Sequence, residues 1–134
     1  MKKKILFVCI GNCCRSQMAE GFANHYGKDV LTATSSGLAP TVVVAQETLD
    51  TMAEKNIDIS AQYPKKFDPL EAKAVDLVVN MSGFVLPGKP EVPTEKWDVH
   101  DPFGDSMEVY MESANDVEMK VMGLILRLRR ENGS

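Results

Sequence analysis

Two periodicities of hydrophobic residues divide the chain into alternating short and long segments. Four apolar or β-branched runs of strand length predict buried strands at residues 4–8, 30–36, 75–81 and 96–99. Three stretches with apolar residues three or four positions apart predict helices at residues 16–26, 42–55 and 107–130.

Strands that alternate with helices predict an α/β fold. Consecutive parallel strands need right-handed crossovers, and the connecting helices cover the sheet. We therefore expect a three-layer, four-stranded parallel sheet with helices on both faces, in a single domain over residues 1–134. Active sites of such folds lie at the carboxyl ends of the strands.

The composition fits an ordinary globular domain without nucleic-acid or membrane partners. Fifteen Lys and Arg residues stand against 19 Asp and Glu residues, which gives a net charge of −4. The apolar run 5–10 is too short for a membrane span and precedes no small-residue cleavage site, so no signal peptide is expected. Three clustered cysteines fit a reducing compartment. We therefore expect a cytoplasmic protein.

The segment CIGNCCRS, residues 9–16, directly follows the first predicted strand. Cys9 and Arg15 are separated by five residues, and the first helix is predicted to begin at Ser16. Such a loop can turn its backbone N–H groups toward one centre at the positive end of the helix dipole, which makes an oxyanion cradle. Gly11 is expected to allow the tight backbone path, and Arg15 to bind two oxygens of a phosphate-like group.

The same field favours a thiolate, so Cys9 is a candidate nucleophile. Ser16 is predicted to cap the helix, to stabilise the thiolate, or to do both.

A thiolate that attacks phosphorus needs a proton donor for the leaving oxygen. Asp101 in VHDPFG, residues 99–104, is the candidate, because Pro102 fixes an extended loop from which the carboxylate can project.

These segments resemble the signature of one enzyme superfamily. CIGNCCRS is similar to the Cys-x5-Arg-Ser signature of the low-molecular-weight protein tyrosine phosphatases, which include the structurally similar thioredoxin-coupled arsenate reductases. The resemblance continues through SSG at 35–37, MAEKNIDIS at 52–60 and the late Asp-Pro. It implies the low-molecular-weight phosphatase fold and a mechanism that uses no cofactor and no metal.

The resemblance also implies a role for individual residues. Cys9 would be the nucleophile, Arg15 would bind the oxyanion, and Asp101 would be the general acid. A network that holds the loop is implied for three residues: Asn12, Ser16 and Ser36. The substrate-binding set is predicted to comprise Gly11, Asn12, Cys13, Cys14, Ser16 and Phe103.

Cys14 has two interpretations. Many phosphatases of this superfamily have a cysteine at this position, and a reversible Cys9–Cys14 disulfide would shield the nucleophile from over-oxidation. Packing as a small hydrophobic residue is an equal alternative for Cys14 and the favoured one for Cys13. A metal site is disfavoured, because adjacent cysteines make awkward ligands and His25 and His100 are the only imidazoles.

Several features separate the chain from the phosphatases. Those enzymes usually have proline after Arg-Ser and an aromatic pair after Asp-Pro, whereas Gln17 and Phe103-Gly104 stand here. RSQMAEG and Trp97 are instead similar to the reductase branch. Those reductases relay oxidation through two further cysteines after the third strand, but NMSGFVLPGKP, residues 80–90, contains none.

The main hypothesis from the sequence is a cysteine-dependent phosphatase that hydrolyses phosphate monoesters through a phosphocysteine intermediate. Its substrate would be a phosphorylated protein or a small phosphomonoester, with phosphotyrosine implied by the resemblance. The alternative is arsenate reduction with an external thiol from thioredoxin, glutaredoxin or a low-molecular-weight thiol. A third hypothesis, a non-catalytic oxyanion-binding or redox-sensing module, is disfavoured because binding alone needs no acid such as Asp101.

Overall fold

The computed structural model describes residues 2–133. Its elements follow in the order β1 (Lys3–Cys9), α1 (Arg15–Tyr26), β2 (Leu31–Gly37), α2 (Gln46–Glu54), α3 (Pro69–Ala72), β3 (Leu77–Asn80), β4 (Thr94–Lys96) and α4 (Met107–Gly133). The strands form one sheet in the order β2-β1-β3-β4, and all neighbours are parallel. The predicted four-stranded parallel α/β fold is confirmed.

The central strand β1 determines where the loop after it lies. β1 pairs with β2 along its full length, from Lys3 opposite Leu31 to Cys9 opposite Gly37. On its other side β1 pairs with β3, which ends at Asn80. The carboxyl ends of these strands therefore meet at one edge of the sheet, and Cys9 is the last residue of the central strand.

Both faces of the sheet are covered, by layers of unequal thickness. Ile5, Phe7 and Cys9 point to one face, where they join a core formed with the long helices α1, α2 and α4. Leu6 and Val8 point to the opposite face, which α3 and the loops around it cover. This alternation is the usual consequence of a strand's two-residue period and produces the predicted three layers.

The longest helix, α4, packs through one stripe of its surface. The residues of this stripe are Tyr110, Ala114, Val117, Val121, Leu124, Ile125 and Leu128. Their spacing of three and four positions is that of one helix face. Nowhere in residues 2–133 does a helix have the combination of length and apolar character needed to cross a membrane.

Helix α2 and strand β4 begin at other residues than predicted because contacts with distant segments hold the chain there. Helix α2 begins at Gln46 rather than at residue 42, because the N–H groups of Thr41 and Ala45 bond to Gly11 O and Cys13 O and are not available to a helix. Val42 is consequently 95% exposed.

Strand β4 comes earlier than predicted, at Thr94–Lys96 instead of residues 96–99. The chain leaves the sheet after Lys96, and Val99 O then accepts a hydrogen bond from the guanidinium of Arg15. The short helix α3 was not predicted. Asp68 caps it by accepting from Leu70 N at 2.9 Å, and a proline occupies its first turn.

Candidate active site

The loop between β1 and α1, residues 10–14, curls around a pocket at the carboxyl edge of the sheet. Five successive carbonyls accept hydrogen bonds: Cys9 O from Leu38 N (3.1 Å), Ile10 O from Ala39 N (2.8 Å), Gly11 O from Thr41 N (3.0 Å), Asn12 O from Gln17 Nε2 (2.9 Å) and Cys13 O from Thr48 Oγ1 (2.8 Å). The C=O and N–H of a trans peptide point in opposite directions, so the N–H groups of the loop turn toward the pocket. With the N-terminus of α1 they make a positive cradle for an oxyanion.

Asn12 holds this loop in shape from within. It is fully buried and has a φ of 49°, a left-handed conformation that asparagine tolerates better than most residues. Its Nδ2 donates to Ser16 Oγ at 2.7 Å and to Ser35 Oγ at 3.0 Å, and its Oδ1 accepts from Lys65 N at 2.8 Å. The tight backbone turn predicted for Gly11 therefore lies at Asn12.

Ser35, rather than the predicted Ser36, completes the network around Asn12. Besides accepting from Asn12, Ser35 Oγ donates to Glu20 Oε1 at 2.6 Å. Successive side chains of a strand point to opposite faces of its sheet, so Ser36 points away from the loop. Within residues 2–133 its buried hydroxyl has no hydrogen-bond partner. The predicted network position is thus wrong by one residue.

Cys9 lines a pocket of about 170 Å³. Its side chain is buried, and its Sγ lies 2.8 Å from Ser16 Oγ. Because Asn12 donates to Ser16 Oγ, the hydroxyl hydrogen of Ser16 is left to donate to the sulfur, and such a bond stabilises a thiolate. Ser16 is not a helix cap, since α1 begins at Arg15 and its N-cap residue is Cys14. Of the two roles predicted for Ser16, the geometry fits only the contact with Cys9.

The guanidinium of Arg15 forms a fixed wall of the pocket. Nη1 donates to Met81 O at 2.5 Å and to Val99 O at 3.2 Å, and Nη2 lies 3.5 Å from Asp101 Oδ2. Nε is buried and has no hydrogen-bond partner in the described part of the chain. A buried donor without a partner is costly, and an oxyanion in the pocket would satisfy it.

Asp101 and Phe103 lie at the opening of the pocket, on the loop before α4. The side chain of Asp101 is 45% exposed, and its Oδ1 accepts from Phe103 N at 3.1 Å. The carboxyl group therefore reaches both solvent and the pocket, as a proton donor to a leaving oxygen must. The ring of Phe103 is 61% exposed. His100 pairs with Asp105 at 3.2 Å rather than with Asp101.

Cys13 and Cys14 line the same pocket and contact each other. Their Sγ atoms are 3.4 Å apart, and Cys14 Sγ also lies 3.5 Å from Tyr110 OH. The hydrogen bond from Cys13 lowers the pKa of Cys14 to about 7, whereas this bond and burial raise the pKa of Cys13. The hydrogen bond between the two sulfurs therefore favours ionisation of Cys14 over ionisation of Cys13.

All three cysteines are free thiols. The sulfur contact of Cys9 is with Ser16, and those of Cys14 are with Cys13 and Tyr110. The Cys9–Cys14 disulfide stays a prediction. Across residues 2–133, no group of three or more His, Cys, Asp or Glu side chains is arranged to hold a metal ion.

Three buried polar residues that support the site were not given a role by the sequence: Gln17, Thr48 and Tyr110. Tyr110 begins the apolar stripe of α4, two turns before Val117, so following the stripe toward the N-terminus of the predicted helix would have found it. Thr48 falls within the helix predicted at residues 42–55, but its bond to Cys13 O depends on the path of a distant loop. For Gln17 the sequence did contain a signal, because the phosphatases usually have proline at this position.

Replacing Gln17 with leucine is expected to lower the free energy of unfolding by about 2 kcal/mol, because buried carbonyl groups would lose their donor. Gln17 Nε2 donates to Asn12 O at 2.9 Å and to Tyr63 O at 3.1 Å. Urea denaturation measures the change. Gln46→Leu on the exposed start of α2 is the matched control, with an expected change within about 0.5 kcal/mol. Equal effects of the two substitutions would contradict an anchoring role for Gln17.

Comparison with known proteins identifies the family. Residues 4–86 match the sequence profile described as low molecular weight phosphotyrosine protein phosphatase. A glutaredoxin arsenate reductase of Synechocystis is 37% identical over 94% of this chain and 98% of its own length. An arsenate reductase of Staphylococcus xylosus is 32% identical over 94% of this chain and 98% of its own length. A solved structure of an arsenate reductase in the phosphate binding state is 36% identical, with a TM-score of 0.87 over 96% of this chain and 99% of that one.

These relatives overturn the main functional hypothesis. All three are named arsenate reductases, so the prediction of phosphate-monoester hydrolysis with phosphotyrosine as the substrate is wrong. The error has a physical cause, because phosphate and arsenate are both tetrahedral oxyanions and the Cys9–Arg15 loop suits either. RSQMAEG and Trp97, which resemble the reductase branch, were the better guides. By its sequence profile, its relatives and its fold, the chain belongs to the low molecular weight phosphotyrosine protein phosphatase family.

Proposed function

We propose that the protein is an arsenate reductase that draws on an external thiol, with Cys9 as its nucleophile. The observation that carries this proposal is a buried thiol inside an oxyanion cradle that Arg15 also lines, with an Arg15 Nε that lacks a hydrogen-bond partner within residues 2–133. The pocket is small, at about 170 Å³, and among the described residues that line it Phe103 alone is aromatic. These features favour a free inorganic oxyanion over a bulky aromatic ester.

In the first step, Arg15 and the loop N–H groups bind arsenate with the arsenic facing Cys9 Sγ. The thiolate forms an S–As bond as one As–O bond breaks. The departing oxygen takes a proton from Asp101 and leaves as water. Ser16 Oγ lies 2.8 Å from this sulfur, and a hydrogen bond from its hydroxyl stabilises a thiolate before the attack. Arsenic is still pentavalent at this point.

In the second step, another thiolate attacks Cys9 Sγ. The electron pair of the S–As bond passes to arsenic, which becomes trivalent and leaves as arsenite, and a disulfide joins Cys9 to the attacking thiol. The segment after β3, residues 80–90, contains no cysteine. The glutaredoxin named for the Synechocystis relative supports a glutathione and glutaredoxin system as the source of this thiol.

Arsenite formation with purified reductants tests the proposal. The protein is expected to turn over arsenate with glutathione, glutaredoxin and NADPH-dependent glutathione reductase, and more slowly with thioredoxin. Asp101→Asn is expected to lower the rate on the order of 10²-fold or more, the usual contribution of a general acid. Asp105→Asn, a nearby loop carboxylate paired with His100, is the matched control and should remain close to wild type. Hydrolysis of an aryl phosphate without arsenite formation in any thiol system would contradict the proposal.

A further inference from the structure

We propose that Cys13 and Cys14 form a two-thiol binding site for trivalent arsenic on the wall of the pocket, separate from the nucleophile Cys9. Binding of a trivalent arsenical needs no catalysis. The assignment of arsenite as its natural ligand rests on the proposed function, in which arsenite is the product.

The geometry of the pair supports this site. The two Sγ atoms are 3.4 Å apart, which is close to the separation of two sulfurs bonded to one atom, and both residues line the pocket. Their backbone is held in place, because Cys13 O accepts from Thr48 Oγ1 at 2.8 Å. Tyr110 OH lies 3.5 Å from Cys14 Sγ on the buried side. A dithiol that is already in position loses little entropy when it chelates a ligand.

A pair of thiols fits a trivalent arsenical better than it fits a zinc ion. A zinc ion needs about four ligands, and within residues 2–133 no third His, Cys, Asp or Glu side chain is grouped with this pair to hold a metal. A trivalent arsenical that keeps one hydroxyl or organic group needs only two thiolates. Thiolates are soft ligands, and trivalent arsenic is a soft acceptor. Cys9 lies outside this pair, because Cys13 and Cys14 contact each other while the Cys9 sulfur contacts Ser16 Oγ at 2.8 Å.

The chemistry is an exchange without oxidation or reduction. Two As–O bonds of arsenite or of an arsonous acid break as two As–S bonds form, and the two thiol protons leave with the two oxygens as water. Arsenic stays trivalent and both sulfurs stay reduced. Arsenite held in this way would occupy the pocket beside Cys9, so we expect product inhibition that an added small dithiol relieves.

Phenylarsine oxide, which takes two thiols, is the probe for this site. The Cys9→Ser protein, reduced with a phosphine, is expected to bind one equivalent, as measured by intact mass. After denaturation and alkylation, both Cys13 and Cys14 should be protected in the peptide map. Cys13→Ser and Cys13→Ala, each with Cys9 present, are expected to weaken binding by about 10²-fold or more, because the second bond of the chelate is lost.

The opposite pattern would overturn the proposal. If Cys13→Ser retains tight binding with two thiols protected while Cys9→Ser loses it, the arsenical bridges Cys9 and Cys14 instead. Should the Cys13 variants not fold, the alkylation map of the Cys9→Ser protein decides alone, and free Cys13 or Cys14 in the arsenical complex would refute the site. The assay contains neither arsenate nor a reductant protein, so its failure is distinct from a failure of arsenate reduction.

Discussion

Replacing Cys9 with serine is expected to lower arsenate reduction by at least about 10⁴-fold, the scale of loss seen when a catalytic nucleophile is removed. A hydroxyl is a far weaker nucleophile than a thiolate at neutral pH, so the first step is slowed. The second step is lost altogether, because an attacking thiol forms a disulfide only with sulfur. An arsenate ester of serine would hydrolyse without reducing the arsenic.

The fold and the oxyanion cradle should survive this substitution. Serine is close to cysteine in size and can keep the contact that Cys9 Sγ makes with Ser16 Oγ at 2.8 Å. Arg15 Nε and the loop N–H groups are unchanged. We therefore expect calorimetry to measure phosphate binding similar to that of the wild type, while arsenite formation in a single turnover is absent. Arsenite production at a rate comparable to wild type would mean that another thiol begins the reaction.

The centre of the site was predictable from the sequence because its residues are local. Cys9, Arg15 and Ser16 lie within eight residues of each other, at the end of one element and the start of the next. Asp101 lies far away in the chain, but an Asp-Pro loop before the last helix of a parallel α/β fold returns to the carboxyl edge of the sheet. The alternation of elements was therefore enough to predict that Cys9, Arg15 and Asp101 lie at one edge.

What the sequence pattern missed depends on contacts between distant segments. Ser36 was assigned to the network by resemblance alone, and a shift of one residue along a strand changes the face on which a side chain lies. Helix α2 was predicted to start at residue 42, but Ala45 N donates to Cys13 O and Thr41 N donates to Gly11 O. These bonds outweigh the helical spacing of local apolar residues.

Gly37→Ala is expected to reduce both stability and arsenate reduction, because the oxyanion loop leaves no room for a methyl group. Gly37 is the last residue of β2 and lies opposite Cys9. A Cβ at this position would lie 2.6 Å from Ile10 O and 2.8 Å from Asn12 N, both of which are backbone atoms of the loop. The backbone of Gly37 is held in place, because its N–H donates to Lys65 O and its carbonyl accepts from Phe67 N, each at 2.8 Å.

The loop must therefore move, and its movement links the two losses. We expect urea denaturation to show a destabilisation of about 2–3 kcal/mol, the range for overpacked sites. Activity should fall on the order of 10²-fold, as when catalytic groups are misplaced by about 1 Å. Gly123→Ala in α4 is the matched control: its Cβ would meet nothing within 4 Å. Alanine there should add about 0.5–1 kcal/mol of stability and leave the rate unchanged. If Gly37→Ala behaved like this control, the cradle would not depend on the close approach of β2, and the loop's own hydrogen bonds would suffice to shape it.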